Sequence, residues 1–131
     1  MKILKFAFLM TVMVIGLHSC QKDDEPKDDS KSVAGIWVGK YGFDAETPSL
    51  YEKWDMETDG DLRSLLPDGT VYAVGSWDQE GNEIEVHYNE LGEPFNFTFK
   101  GTYDEDNEEI TGNWFDTEDP TYGGTFEMQR Q

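Results

Sequence analysis

The chain has 131 residues, and 28 acidic residues against 10 basic ones give it a formal net charge of −18. Because nucleic-acid affinity rests on lysine and arginine neutralising phosphates, this balance argues against a nucleic-acid partner, and it equally disfavours adsorption to an anionic membrane surface. Cations, basic proteins and neutral ligands held in a cavity remain as partners.

The first 19 residues have the pattern of a lipoprotein signal peptide. Lys2 and Lys5 precede an apolar run over residues 6–17, which is shorter than the roughly 20 residues needed to span a bilayer. The end of the run overlaps the sequence Leu17-His18-Ser19-Cys20, a lipobox whose cysteine would take the lipid. We therefore predict lipidation of Cys20, the only cysteine. A short transmembrane anchor and a secretory signal that leaves Cys20 free are the alternatives.

A polar segment follows the cysteine. Its first five residues are Gln21, Lys22, Asp23, Asp24 and Glu25. They resemble the export signal of Bacteroidota surface lipoproteins. The resemblance implies a protein anchored to the outer membrane through its lipid alone and displayed at the cell surface. The alternative is a generic charged tether on a lipoprotein that faces the periplasm.

Residues 20–32 are predicted to form a lipidated, flexible tether. Beyond the cysteine they contain no large apolar side chain, so they cannot bury enough surface to fold. At about 3.3 Å per residue, the segment from 21 to 32 would reach at most ~40 Å from the membrane.

Residues 33–131 are predicted to form one all-β domain, since apolar and polar residues alternate along short runs separated by turn residues. The clearest run places Phe95, Phe97 and Phe99 on one face. A sheet that closes into a barrel has no exposed edges. We therefore predict a small antiparallel up-and-down β-barrel of about eight strands, with room inside for side chains or one small ligand. The predicted strands are Ile36–Tyr41, Tyr51–Glu57, Asp61–Leu66, Thr70–Trp77, Glu83–Tyr88, Phe95–Lys100, Glu109–Phe115 and Thr125–Arg130.

Short motifs in this domain resemble the lipocalin-like (calycin-type) barrels of Bacteroidota lipoproteins. They are Gly35-Ile36-Trp37, the segment 65–70, Gly75-Ser76-Trp77, Asn82-Glu83-Ile84 and Phe126 to Arg130. The resemblance implies that Trp37 closes one end of the barrel and that Arg130 packs over it. This domain is shorter than true lipocalins and lacks their disulfide and C-terminal helix, which argues against a large lipid cavity.

Aromatic side chains are the best candidates for a ligand site, because such sites are largely apolar and form in the mouths of barrels. The candidates are Trp54, Tyr72, Trp77, Tyr88, Phe97 and Trp114. A filled aromatic core is the alternative. We predict a binding module for a small apolar or sugar-like ligand; a protein-interaction or inhibitor-type barrel acting through its acidic surface and loops is the alternative function.

An acidic run suggests a weak calcium candidate at Asp55, Glu57, Asp59 and Asp61, which alternate as in the first half of an EF-hand loop. The twelfth position of that loop should be glutamate and is Leu66, so the EF-hand itself is excluded. A looser Ca²⁺ site and an ordinary hairpin turn remain, and no other cofactor is predicted.

Catalytic motifs are missing from the sequence. His87 is the only histidine outside the leader, and with no cysteine in the domain a zinc or copper site of His and Cys is not expected. His87 also alternates with Val86 and Tyr88, which predicts an outward-facing side chain. We therefore predict a protein that is not an enzyme.

Overall fold

The computed structural model describes residues 31–131. Cys20, the signal peptide and the export signal lie outside the described residues. Eight strands in sequence order form a closed antiparallel barrel, in which β1 also pairs with β8. The all-β, up-and-down barrel predicted from the sequence is confirmed. The strands are β1 (Gly35–Tyr41), β2 (Leu50–Met56), β3 (Asp61–Leu65), β4 (Val71–Glu80), β5 (Glu83–Glu90), β6 (Asn96–Asp104), β7 (Glu109–Asp116) and β8 (Gly123–Arg130).

Several strands run further than their sequence pattern indicates, and β4 and β6 exceed it most. The predicted ends were Trp77 for β4 and Lys100 for β6, whereas these strands continue to Glu80 and Asp104. In β6 the inward series continues through Gly101, where a side chain would meet the Phe126 ring at 2.8 Å. Because the interior has room only for glycine at that point, the apolar alternation is interrupted although the strand is not.

Alternation along the strands fills the middle of the barrel with side chains. Val86 and Tyr88 are buried while His87 between them is exposed, as predicted. At the centre, the Trp54 ring lies 5.1 Å from that of Phe99 and 5.5 Å from that of Phe126. The central part of the lumen is therefore packed and leaves space for a ligand only towards an end.

One end of the barrel, the closed end, is formed by the β2–β3, β4–β5 and β6–β7 turns. Arg130 lies opposite Trp37 in the β1–β8 pairing, and its guanidinium is 4.6 Å from the indole ring centre. The guanidinium also donates to the Glu108 carboxylate at 2.8 Å and to the Ala34 carbonyl at 2.9 Å. The contact implied by the lipocalin resemblance is thus present, and it caps this end.

The chain enters the barrel at the closed end. The Lys31 ammonium lies 2.6 Å from the Glu108 carboxylate, and the Val33 amide donates to the Gln79 side chain at 3.0 Å. Val33 in turn accepts a bond from the Trp37 indole at 2.8 Å. Lys31, predicted as part of the tether, therefore contacts the folded domain. The described part of the chain, residues 31–131, contains no candidate membrane-spanning helix.

The opposite end, the open end, is formed by four loops that join β1 to β2, β3 to β4, β5 to β6 and β7 to β8. These loops span residues 42–49, 66–70, 91–95 and 117–122. Together they contain six acidic residues and no basic residue. Several large apolar side chains are exposed around them, namely Leu50, Leu66, Leu91, Phe95 and Tyr122. The open end is therefore both apolar and negatively charged.

Candidate functional site

A cavity of about 460 Å³ occupies the open end of the barrel. Its volume falls within the range of about 300–1,000 Å³ that is typical of small-molecule sites. Nine of its twelve lining residues are aromatic and the other three carry carboxylates. The lining residues are Tyr41, Phe43, Tyr72, Tyr88, Glu90, Phe95, Phe97, Phe99, Trp114, Asp116, Asp119 and Tyr122. We call this space the mouth cavity.

Trp114 is the centre of the aromatic wall. Its ring lies 5.5 Å from Tyr41, 5.3 Å from Phe43, 5.7 Å from Phe97 and 5.9 Å from Tyr122, all in edge-to-face contacts. Edge-to-face pairs set the positive edge of one ring against the negative face of another, which stabilises both. These contacts hold the rings of the wall against one another.

A β-bulge turns Tyr72 into the cavity. Ser64 pairs with Ala73, but the next residue of β3, Leu65, pairs with Val71, so Tyr72 has no partner in β3. An extra residue of this kind locally changes which face of the sheet a side chain occupies. Both Ala73, which is buried, and Tyr72 consequently contribute to the interior. Simple alternation from Ala73 would have placed Tyr72 outside.

Glu52 is a fully buried carboxylate that is bonded to the cavity wall. It faces inward because it alternates with Trp54 along β2, and its exposed fraction is 0%. Tyr72 and Tyr88, which both line the cavity, donate to its two oxygens at 2.9 and 2.8 Å. The Ser64 hydroxyl donates at 2.5 Å. Three hydroxyl donors thus solvate a carboxylate that water does not reach.

Burial sets the protonation of this cluster. It raises the pKa of the Glu52 carboxyl, against the opposing effect of hydrogen bonds from Ser64, Tyr88 and Tyr72. Burial also raises the pKa of the Tyr72 and Tyr88 hydroxyls, with Glu52 adding to the effect, so both remain protonated donors. Within residues 31–131, Glu52 forms no salt bridge.

Three more acidic residues lie in the cavity wall. Glu90, at the end of β5, has its carboxyl pKa raised by burial and by the nearby Glu93. Asp116 accepts from the Glu118 amide at 2.9 Å, and Asp119 accepts from the Thr121 hydroxyl at 2.5 Å. These turn bonds hold the two aspartates at one side of the cavity.

The structure brings together four of the six aromatic residues predicted for a ligand site. Tyr72, Tyr88, Phe97 and Trp114 line the mouth cavity. Trp54 lies below it in the packed core. Trp77 is half-buried, and its indole donates at 2.7 Å to a carbonyl of residue 57 in the closed-end turn. These two tryptophans therefore do not contribute to the cavity.

Sequence reasoning missed several cavity residues because it could fix neither the register of the strands nor which loops share one end of the barrel. Phe43, Glu90, Asp116 and Asp119 are in this group, together with Tyr41, Phe95, Phe99 and Tyr122. The repeat Phe95-Phe97-Phe99 gave a usable signal, since all three side chains reach the cavity. Glu52 was detectable only as a charged residue in register with Trp54 and Met56 on the inward face of β2.

The acidic run of the β2–β3 hairpin is only partly assembled into a cluster. Carboxylate oxygens of Glu57, Asp59 and Asp61 lie within 4.8 Å of one another and could hold a metal ion. Asp55 is separate from this cluster, because it forms an ion pair with Arg63. Arg63 also lies 3.4 Å from Glu57, which reduces the attraction of the cluster for a cation. Calcium binding there stays a prediction.

His87 lies on the outer surface of the barrel. Its Nδ1 atom is 2.9 Å from the Thr98 hydroxyl, and its Nε2 atom is 3.6 Å from the Glu85 carboxylate. Thr98 is only 2% exposed, because Thr117 covers it and bonds to it at 2.9 Å. A substrate has no access to this hydroxyl, and the arrangement attaches the β7–β8 loop to the barrel.

Comparison of this chain with protein-family models, with curated proteins and with solved structures finds no match.

Proposed function

We propose that residues 31–131 form a non-catalytic, lipocalin-like binding domain that holds a small, largely apolar or sugar-like ligand in the mouth cavity. The observation that carries this proposal is the aromatic cavity of about 460 Å³ at the open end. Aromatic walls offer both hydrophobic burial and flat faces for stacking on rings.

The packing around the cavity supports a shallow site. Trp54, Phe99 and Phe126 fill the centre of the barrel, so a ligand would rest on this layer and on Tyr88 above it. Because the rings of the wall already contact one another, little side-chain freedom is lost on binding, and this lowers the entropic cost. Exposed Phe95 and Tyr122 would cover the outer part of the ligand.

Two matched tyrosine variants test the site. Tyr122 lines the cavity and is 49% exposed, whereas Tyr51 is 40% exposed on the outer surface of the barrel. We expect Tyr122→Ala to weaken binding of small aromatic and monosaccharide ligands about tenfold, the loss of one good ring contact of ~1.4 kcal/mol. Tyr51→Ala should leave it unchanged. Binding is measured by NMR titration, following the Trp114 indole resonance. Equal effects of the two variants would contradict the assignment.

We further propose that a lipid on Cys20 anchors the domain to the outer membrane and that the domain is exposed at the cell surface. The lipobox pattern and the QKDDE sequence after it support this proposal. Cys20→Ser should abolish labelling by a radioactive fatty acid and release the protein from the membrane fraction. Protease added to intact cells should degrade the domain, while protection until the outer membrane is opened would indicate a periplasmic location.

A further inference from the structure

Among the described residues, those in the wall of the mouth cavity include acidic side chains and no basic ones. Glu90, Asp116 and Asp119 are its only polar residues apart from tyrosine. We propose that its ligand is an organic cation, a small and largely apolar molecule that carries a protonated or quaternary amine. This inference rests on the proposed binding function and specifies the ligand's charge.

The basic residues of the domain are located elsewhere. Arg63 pairs with an acidic residue at the closed-end hairpin, Lys100 lies 3.4 Å from the Glu85 carboxylate on the outer surface, and Arg130 caps the closed end. Among residues 31–131, no lysine or arginine contributes to the cavity lining. An anionic ligand would therefore find no counter-charge in the site.

The aromatic rings of the cavity wall also favour binding of a cation. The negative face of a ring attracts an ammonium group within about 6 Å of its centre, most strongly for tryptophan, and the attraction grows when water is excluded. Tyr122 and Phe95 suit this role, because they line the cavity with exposed fractions of 49% and 45%. Trp114 is only 4% exposed and supports the wall, with its indole N–H bonded to the Gly42 carbonyl at 2.8 Å. Phe97 and Tyr122 contact it on two sides.

Carboxylates around the aromatic wall add a negative electrostatic potential, which also attracts a cation. Glu90 lies in the wall, and the open-end loops contain six acidic residues and no basic residue. Since charges interact more strongly away from bulk water, an ammonium group in the cavity would be stabilised by several carboxylates together.

The combination of aromatic rings and carboxylates also favours a cation over a neutral ligand. A purely apolar ligand would leave Glu90 partly desolvated with no compensating partner. An amine with an apolar substituent satisfies both the rings and the carboxylates.

Three probes of nearly equal size test the inference: benzylamine, which is protonated at neutral pH, benzyl alcohol and benzoate. We expect benzylammonium to bind about tenfold more tightly than benzyl alcohol, as a desolvated cation–π contact implies, and benzoate to bind more weakly than either. Affinities come from NMR titration of the folded domain with its tether, again followed at the Trp114 indole.

Two variants with the same change of charge locate the effect. Glu90→Gln removes a carboxylate from the cavity wall, and Glu80→Gln removes an exposed one at the end of β4 near the closed end. Glu90→Gln should reduce the preference for benzylammonium over benzyl alcohol at least threefold while leaving the affinity for benzyl alcohol unchanged. Glu80→Gln should alter neither.

The outcomes distinguish the inference from the function on which it rests. If the three probes bind equally well at the Trp114 site, the cation preference is wrong and the binding function stands. If Glu80→Gln lowers the preference as much as Glu90→Gln, the preference reflects the overall charge, and the assignment to this cavity is overturned. If none of the probes shifts the indole resonance, both the inference and the binding function are contradicted.

Discussion

Two glutamates illustrate how position decides the effect of a carboxyl group on stability. Burial raises the pKa of Glu52, whereas hydrogen bonds from Lys31, Arg130 and Tyr103 lower the pKa of Glu108 to about 2. The folded state therefore binds a proton at Glu52 more tightly than the unfolded state does, and binds one at Glu108 less tightly. The two groups give opposite slopes of stability with pH.

Glu52→Gln should change the pH dependence of unfolding in a specific direction. In the wild type, Glu52 lowers the free energy of unfolding as pH rises above its unfolded pKa of 4.5, because the unfolded chain then releases a proton that the folded protein holds more tightly. The variant should lose this slope and gain stability relative to the wild type at pH 7 but not at pH 4. Urea denaturation at the two pH values measures the difference. A variant less stable than the wild type at pH 7 would indicate that the three hydroxyl bonds require the charge.

Glu108→Gln should show the reverse behaviour. Because the folded pKa of about 2 lies below the unfolded value of 4.5, the contribution of Glu108 is complete above pH 4.5 and disappears as pH falls towards 2. The variant should be less stable than the wild type at pH 7, and the difference should shrink in acid. The same urea series measures it, and a deficit that persists at pH 2 would contradict this account.

Within a strand, a glycine can permit the neighbouring strand to approach closely. A β-carbon added to Gly75 would lie 1.8 Å from the His87 carbonyl oxygen and 2.6 Å from the Tyr88 Cα atom on the neighbouring strand. Both contacts are with backbone, which cannot rotate away. The glycine of Gly75-Ser76-Trp77 thus permits the close approach of β4 and β5.

Gly75→Ala should therefore destabilise the barrel by about 2 kcal/mol or more, the cost of forcing strands apart in a packed structure. Ser76→Ala, an exposed change at the next residue of the same strand, should stay within ~0.5 kcal/mol of the wild type. Thermal unfolding followed by circular dichroism compares the two. Equal stability of both variants would mean that β4 and β5 separate without cost.

Sequence alone predicted strands wherever alternation was uninterrupted, and failed where a local feature changed it. Phe126 and Met128 identified the inward face of β8 correctly. The bulge at Tyr72 left no trace in the sequence, since it depends on how β3 and β4 pair. Four aromatic residues of the mouth cavity were predicted, but its full lining was not, because four loops distant in sequence meet only when the barrel closes.

For the whole molecule, charge is the dominant feature. Residues 33–131 carry five basic and 23 acidic residues, and several of the basic ones are engaged in exposed ion pairs of small net value. Repulsion among the remaining carboxylates opposes the compact state. Stability should accordingly depend on ionic strength.

We expect the melting temperature to rise by about 5 °C between ~10 mM and ~500 mM NaCl, since salt shortens the range of repulsion. Potassium chloride should give the same rise, because screening does not depend on the identity of the monovalent cation. Differential scanning calorimetry measures both. A melting temperature that falls with salt would mean that ion pairs such as Arg130 with Glu108 outweigh the repulsion.

An even number of strands brings both ends of the folded domain to the closed end. Lys31 bonds to Glu108 there, and the amide of Gln131 donates to the Ile36 carbonyl at 2.9 Å. A linker attached at either end therefore emerges on the side opposite the mouth. A domain held by such a linker, whether on a cell or on a sensor chip, presents its mouth to the surrounding solution and keeps diffusional access for ligands at high surface density. Immobilisation through the N-terminus and through the C-terminus should accordingly give the same association rate.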